Sequence, residues 1–90
     1  MPYKISLTRS AVKELESLPA KIHDKVIAHL RQLEENPRLP GAEKLTAFPE
    51  YKLRVGNHRV IFEIDDVKRE VKVLMIEDRR QVYKRLKRKR

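Results

Sequence analysis

The sequence predicts an α+β fold, with an N-terminal strand, a two-helix antiparallel hairpin and a mainly antiparallel sheet that the helices cover on one face. Three observations predict it. A short alternating segment opens the chain, two segments with apolar residues at helical spacing follow, and three strand-like segments fill the second half. The element order is therefore β-α-α-β-β-β. The 90 residues suffice for one domain, taken as 1–90.

The first strand is predicted from alternation at the N-terminus. Tyr3, Ile5 and Leu7 are separated by Lys4 and Ser6, so one face of this segment is apolar. We expect the strand to join the sheet, although alternation alone does not identify its neighbour.

Two helices should follow. Thr8 or Ser10 can accept hydrogen bonds from the free amides at a helix start, so the first helix begins there and continues until Pro19 interrupts it. The second helix runs from about 20 to 35 and ends at Asn36-Pro37, because the residue before a proline avoids helical backbone angles. Since the two helices are close in sequence, they should form an antiparallel hairpin.

The second half of the chain should form the sheet. A loop rich in proline and glycine is expected at about 36–49. Strands are predicted at about 50–56, 58–65 and 70–77. The last of them contains VKVLMI, a nearly continuous apolar run that predicts a central strand. The remaining residues leave room for a terminal helix from about Arg79.

The pair Gly56-Asn57 lies between two alternating segments and predicts a two-residue type II′ hairpin turn. That turn fixes the register, with Arg54 opposite Arg59. One face of the hairpin should then belong to the core, and it collects Tyr51, Leu53, Val55, Val60, Phe62 and Ile64. The other face collects Lys52, Arg54, Arg59, Ile61 and Glu63.

The second face is the first candidate site. Like charges directly opposite each other in a sheet are destabilising, so Arg54 across from Arg59 opposes the fold unless an anion lies over them. Arginine grips phosphate with two parallel hydrogen bonds, and Lys52 adds a point charge. The alternative is a solvated polar face that Glu63 and nearby acids neutralise.

The formal net charge of +9 is concentrated at the C-terminal end of the chain. Residues 79–90 hold eight basic side chains and no acid, whereas residues 1–78 hold 14 basic and 13 acidic ones. Such a basic tail attracts polyanions, nucleic acid first and anionic membrane second. The alternative is a solvated terminus that only aids solubility.

Tyr83 lies inside this basic tail. An aromatic ring among cations is a minimal pattern for single-stranded nucleic acid, because the ring stacks on a base while the cations follow the phosphates. The cations predicted to contact RNA are Arg80, Lys84, Arg85 and Lys87. Alternatively, Tyr83 packs a terminal helix onto the sheet.

Composition excludes several functions. The chain has no Cys, which excludes disulfides and thiol chemistry, and His23, His29 and His58 lack metal-ligand spacing. We therefore expect neither a metal nor a cofactor. The N-terminus lacks the apolar run of a signal peptide, and no apolar stretch approaches the ~20 residues that span a membrane. We expect a cytoplasmic protein with no membrane partner.

Two segments resemble the RelE/ParE family of toxins from toxin–antitoxin pairs. Residues 43–64, EKLTAFPEYKLRVGNHRVIFEI, resemble its KL segment, loop and YxxRxGxxR-type hairpin. Residues 76–86, IEDRRQVYKRL, resemble the arginine-then-tyrosine ending of the RelE branch. The resemblance implies a RelE-like fold along the whole chain and a ribosome-dependent mRNA endoribonuclease, which cuts in the decoding site by metal-free 2′-hydroxyl attack. The implied partners are mRNA, the ribosome and a RelB-like antitoxin.

The resemblance also implies roles for individual residues. Lys52 matches a catalytic lysine, and Arg54 and Arg59 match phosphate-binding cations. Arg79 matches the arginine near the leaving group, and Tyr83 matches the tyrosine that stacks on or orients the substrate.

The sequence departs from the family pattern at several places. Arg54 replaces a second lysine, and His58 and Phe62 stand where tyrosines are common. Glu77-Asp78 replaces a frequent Gly-His pair and could blunt Arg79. Two other functions therefore stay open: a ParE-like inhibitor of DNA gyrase, and a catalytically silent module that binds nucleic acid or antitoxin.

Overall fold

The computed structural model describes residues 2–78. In that range two helices pack on a five-stranded sheet. The elements in chain order are β1 Lys4–Leu7, α1 Arg9–Glu16, α2 Ala20–Glu35, β2 Ala42–Lys44, β3 Tyr51–Val55, β4 His58–Asp65 and β5 Glu70–Asp78. No helix in the described range is long and apolar enough to cross a membrane.

The sheet has the strand order β1-β5-β4-β3-β2. β1 is parallel to β5, and every other neighbouring pair is antiparallel. The predicted α+β fold is thus confirmed. β5 is an interior strand, as its apolar run indicates, while the middle of the sheet belongs to β4.

The segment 36–49 is not the uninterrupted loop that proline and glycine predict. Ala42–Lys44 forms the edge strand β2, with Ala42 opposite Leu53 and Glu43 opposite Lys52. Three residues are too few to display alternation, and the pairing depends on β3, so the sequence gives no local sign of this strand.

Helix α1 begins at the first of the two predicted caps. The Thr8 hydroxyl accepts a hydrogen bond from the Ala11 amide at 3.1 Å, while Ser10 lies inside the helix. The helix ends at Glu16, because the chain must leave it before Pro19. Helix α2 ends where proline predicts it, and Asn36 is extended with φ −149° and ψ 95°.

The core lies between the helices and the predicted apolar face of the sheet. Helix α2 contributes Val26, Leu30 and Leu33, which lie in one cluster with residues of β3, β4 and β5. Burying an aliphatic side chain of this size contributes about 1.5–3 kcal/mol. The sheet residues that meet them include Leu53, Val55, Val60, Phe62, Val71, Val73 and Ile76.

The opposite face of the sheet carries a second buried cluster that the sequence does not predict. A register shift between Ile61 and Phe62 pairs Ile61 with Met75 and Phe62 with Val73, so Leu74 is an extra residue in β5. Leu74 and Met75 join Ile61 and Leu45, and Phe48 packs against them. The sheet face that was expected to be polar therefore has an apolar centre, in which Ile61 is 0% exposed. Polar residues lie on either side of this centre.

A polar network ties the β4–β5 turn to the rest of the chain. The Arg38 guanidinium donates two hydrogen bonds to the Asp66 carboxylate, at 3.1 and 2.9 Å, and the Tyr3 hydroxyl donates a third at 2.7 Å. The same guanidinium lies 5.6 Å from the centre of the Tyr51 ring. The hydrogen bonds from Arg38, and after them the one from Tyr3, lower the pKa of Asp66 to about 2.

Candidate functional site: a cationic hairpin face

The β3–β4 hairpin forms as its turn predicts. Gly56 has φ +61°. Within residues 2–78 the only non-glycine residue with a positive φ is Arg69, so the φ of Asn57 is negative. A turn in which the first central residue has a positive φ and the second has a negative φ fits type II′. A Cβ on Gly56 would also lie 3.3 Å from Cδ1 of Ile22, so glycine suits this position sterically as well. The predicted register is confirmed, including Arg54 opposite Arg59.

Three predicted site residues lie together on the face of the hairpin that points away from the helices. Arg54 and Arg59 are cross-strand partners, and Lys52 lies two residues before Arg54 on the same strand face. Arg54 is exposed, while Lys52 and Arg59 are half-buried. We call this surface the cationic hairpin face; it comprises Lys52, Arg54 and Arg59.

Arg54 and Lys52 each have a local partner. Arg54 Nε donates to the carbonyl oxygen of Gly56 at 3.2 Å, and Lys52 Nζ lies 3.8 Å from Glu43 Oε1. Within residues 2–78, the Arg59 side chain forms neither a hydrogen bond nor an ion pair. The three cations thus lie on one side of the sheet, and among the residues that the structure describes no acid pairs with the Arg59 guanidinium.

Acids border the cationic hairpin face on both sides. Glu43 of β2 faces Lys52, and Glu77 of β5 faces Arg59. Glu77 was noted in the sequence for its proximity to Arg79, but its cross-strand partner is Arg59. Because Glu43 belongs to the strand that the sequence does not reveal, no sequence signal indicates its position beside Lys52.

Glu50 is a further acid that sequence reasoning missed. It is 4% exposed and directly precedes β3. Its backbone carbonyl accepts a hydrogen bond from the Leu45 amide at 2.9 Å, which holds the 45–50 loop closed. Side chains two residues apart in a strand lie on the same face. Glu50 is two residues before Lys52, so the alternation of Lys52 and Arg54 would have placed it on their face.

His58 does not belong to the cationic hairpin face. It lies opposite Val55, on the side that packs under the helices, and is half-buried. Its Nδ1 atom is buried and has no hydrogen-bond partner. This placement agrees with the predicted register and puts His58 on the sheet face opposite to Lys52, Arg54 and Arg59.

The remaining predicted site residues lie outside the described residues. They are Arg79, Arg80, Tyr83, Lys84, Arg85 and Lys87. Their predicted roles therefore stay predictions.

A separate concavity lies at the opposite end of the hairpin, around the β4–β5 turn. Its volume is about 530 Å³, and its charged lining consists of Glu63, Asp65, Asp66, Lys68, Glu70 and Lys72. Because four of these side chains are acidic and two are lysines, the concavity is unfavourable for binding a phosphate. Within residues 2–78, no group of three or more His, Asp or Glu side chains is arranged to hold a metal ion.

An open sheet surface with clustered cations can bind a phosphate group. Arginine supplies paired donors for two phosphate oxygens, and lysine supplies a compact charge. Fold and site thus define a small basic α+β protein with clustered cations on one sheet face.

The family follows from comparison with known proteins. A family model described as the ParE toxin of the type II toxin–antitoxin system parDE matches residues 5–83. The chain therefore belongs to the RelE/ParE family of type II toxins, as its hairpin predicts. No curated protein matches the sequence significantly.

Solved structures share the fold along most of the chain. The archaeal RelE–RelB complex from Pyrococcus horikoshii matches with a TM-score of 0.78 and 26% identity, over 88% of this chain and 97% of that chain. The RelBE2 toxin–antitoxin complex from Mycobacterium tuberculosis matches with a TM-score of 0.76 and 26% identity, over 87% and 99%. The YoeB/ParE toxin from Agrobacterium tumefaciens, at 18% identity, a TM-score of 0.73 and coverage of 83% and 96%, supports the fold alone.

Proposed function

We propose that this toxin is a metal-free endoribonuclease that cleaves messenger RNA in the decoding site of the ribosome. The observation that carries the proposal is the pairing of Arg54 with Arg59 on the open sheet face, with Lys52 beside them. A like-charge pair at this position is unfavourable for the fold and favourable for holding a phosphate.

The proposed reaction is an internal transesterification. The 2′-oxygen of one nucleotide attacks the adjacent phosphorus, the bond from phosphorus to the 5′-oxygen breaks, and the products are a cyclic phosphate and a 5′-hydroxyl. The reaction needs an acceptor for the 2′-proton, positive charge around the phosphorane and a proton for the leaving oxygen.

The residue types divide these tasks. Guanidinium groups stay protonated in proteins, so Arg54 and Arg59 act as charges. Lys52 is the amine of the face, and we assign it the role of proton acceptor. Because the phosphorane carries more negative charge than the ground-state phosphate, these cations stabilise the transition state more than the substrate.

The basic tail completes the proposal through its resemblance to the RelE branch. Arg79 would stabilise charge near the leaving oxygen, which takes its proton from water to become the 5′-hydroxyl, and Tyr83 would stack on or orient a base. Arg80, Lys84, Arg85 and Lys87 would contact the RNA backbone.

A partner antitoxin belongs to the proposal as well. The structures from Pyrococcus horikoshii and Mycobacterium tuberculosis are toxin–antitoxin complexes. By analogy, we infer that a RelB-like antitoxin binds this toxin and covers its cations. Its contacting segment should be acidic or amphipathic, since it must complement a basic surface.

A gyrase inhibitor is the second candidate, because the matching family model is that of a ParE toxin. A silent member that only binds its antitoxin is the third. It would gain support if Glu43 and Glu77 neutralised the cationic hairpin face.

One experiment separates the three. Purified toxin is added to translating ribosomes, and mRNA ends are mapped by primer extension; a parallel reaction measures supercoiling by DNA gyrase. We expect cuts inside codons that disappear in Arg59→Ala and Arg79→Ala. Arg31→Ala, an exposed arginine of α2, is the matched control and should cut normally. Intact mRNA with inhibited supercoiling would identify a gyrase inhibitor, and neither effect would leave the binding module.

A further inference from the structure

The outer edge of β5 has a strand partner over only part of its length. β1 pairs with it from Lys4 opposite Glu70 to Leu7 opposite Val73, whereas β5 continues to Asp78. Beyond Val73 this edge needs other hydrogen-bond partners, because unpaired backbone groups are costly when buried. Ile76, in this part of β5, is only 2% exposed.

Helix α1 and its N-cap residue Thr8 supply those partners. The Thr8 amide donates to the carbonyl of Val73 at 3.0 Å, and the Thr8 hydroxyl donates to the carbonyl of Leu74 at 2.8 Å. The Glu14 Oε1 atom accepts a hydrogen bond from the Ile76 amide at 2.8 Å. Three groups thus replace the hydrogen bonds of the missing strand: the Thr8 amide, the Thr8 hydroxyl and the Glu14 carboxylate.

The Glu14 contact lies one residue before Glu77 in β5, the strand that neighbours Arg59 of β4. Ile76 is followed by Glu77, whose cross-strand partner is Arg59, and the chain then continues through Asp78 to Arg79. The strand is irregular just before this point, since Leu74 is the extra residue of the register shift. A strand end next to a bulge has fewer ladder contacts to hold it, so a side-chain hydrogen bond has more influence there.

We propose that Glu14 is a positioning residue: through its hydrogen bond to the Ile76 amide, it sets the placement of Glu77 beside Arg59 near the end of β5. Glu14 lies on α1 and packs beneath the sheet, so it acts through the backbone of β5. Its effect on cleavage rests on the proposed function, but its effect on β5 does not.

The contact is tested first without any reaction. Amide hydrogen exchange of Ile76 is measured by NMR in the full chain and in three variants. In Glu14→Ala the Ile76 amide should exchange about tenfold faster, the effect of losing one hydrogen bond to a carboxylate. Glu14→Gln keeps an acceptor oxygen and should restore most of the protection. Glu16→Ala, an exposed acid on the same helix, should change nothing.

Positioning is tested at Glu77 and, on the neighbouring strand, at Arg59, whose side chain a purely local loss at Ile76 would not move. In Glu14→Ala the amide of Glu77 and the Nε–H of Arg59 should shift relative to the wild type, and Glu14→Gln should return them. Unchanged resonances at both groups, or unchanged exchange at Ile76, would overturn the inference.

The catalytic consequence has its own readout. For cleavage of mRNA on ribosomes, kcat of Glu14→Ala should fall about tenfold while KM stays within about twofold, since the lost geometry matters in the transition state. A variant that is merely less stable would keep its kcat per folded molecule. If kcat is unchanged in an active toxin, Glu14 is not a positioning residue. If the wild type cleaves nothing while the Arg59 and Glu77 resonances still respond, the proposed function fails and the positioning of β5 stands.

Discussion

Arg54 lies directly opposite Arg59 across the β3–β4 hairpin, and Glu77 lies on the far side of Arg59. The hairpin register that builds the core therefore also places two guanidinium groups side by side. The same residues that favour binding of an anion should weaken the fold when no anion is bound.

Removing one member of the arginine pair should stabilise the protein. Arg54→Thr should raise the free energy of unfolding by about 0.2–1 kcal/mol, because it relieves repulsion from Arg59 and introduces a good strand former. Urea denaturation measures the change. Lys4→Thr is the matched control, since Lys4 of β1 faces Glu70 and its removal relieves no repulsion. Equal stabilisation by both substitutions would refute an electrostatic origin.

Glu77 should restrain the cationic hairpin face. Glu77→Gln removes a negative charge beside Arg59 while keeping the shape of the side chain, and it should tighten binding of a non-cleavable, 2′-deoxy-substituted RNA by about two- to fivefold at low salt. Fluorescence anisotropy reports the affinity. Glu63→Gln serves for comparison, because Glu63 is exposed on the same strand face but lies opposite Lys72. Weaker RNA binding in Glu77→Gln would show that the negative charge of Glu77 does not oppose the anion.

Gly56 should be difficult to replace. Gly56→Ala should lower the free energy of unfolding by about 1–2 kcal/mol, because its φ of +61° is unfavourable for a residue with a Cβ. The new Cβ would also crowd Ile22 Cδ1 at 3.3 Å. Thermal unfolding measures the loss. Asn57→Ala, next to it in the same turn, has no such φ and should cost under about 0.5 kcal/mol; a similar loss in both variants would contradict the explanation.

Asp66 should contribute to stability in acid. Its pKa is lowered from 3.8 to about 2, first by the hydrogen bonds from Arg38 and then by that from Tyr3. A carboxyl whose pKa is lower in the folded state stabilises the fold above its unfolded pKa, and this contribution disappears as the pH falls through the folded pKa. The window is therefore about pH 4 to 2.

Asp66→Asn removes that titration. Its free energy of unfolding should fall less steeply than that of the wild type between about pH 4 and 2, and the two should run parallel between pH 5 and 7. Arg38→Met should have the same effect on the slope, because it removes the main cause of the pKa shift. Urea unfolding at a series of pH values is the measurement, and identical acid slopes in all three proteins would exclude the network as the cause.

The hairpin and most of the core could be predicted because they depend on local signals. Gly56-Asn57 selects the turn, the turn fixes the register, and a side-chain period of two assigns every residue of β3 and β4 to a face. Thr8, Pro19 and Asn36-Pro37 bound the helices through backbone preferences that operate within a few residues. Lys52, Arg54 and Arg59 could be grouped for the same reason.

Other features required the tertiary structure, because they depend on pairings between segments that are far apart in sequence. The parallel placement of β1 beside β5, the three-residue β2 with Glu43 beside Lys52, and the extra residue Leu74 have no local signature. The hydrogen bond from the Ile76 amide to Glu14 spans 62 positions. The sequence by itself determined which cations share one strand face, since alternation is a property of a single strand. Only the tertiary structure decided which acids border them and what holds β5 in place, since those neighbours come from separate elements brought together by packing.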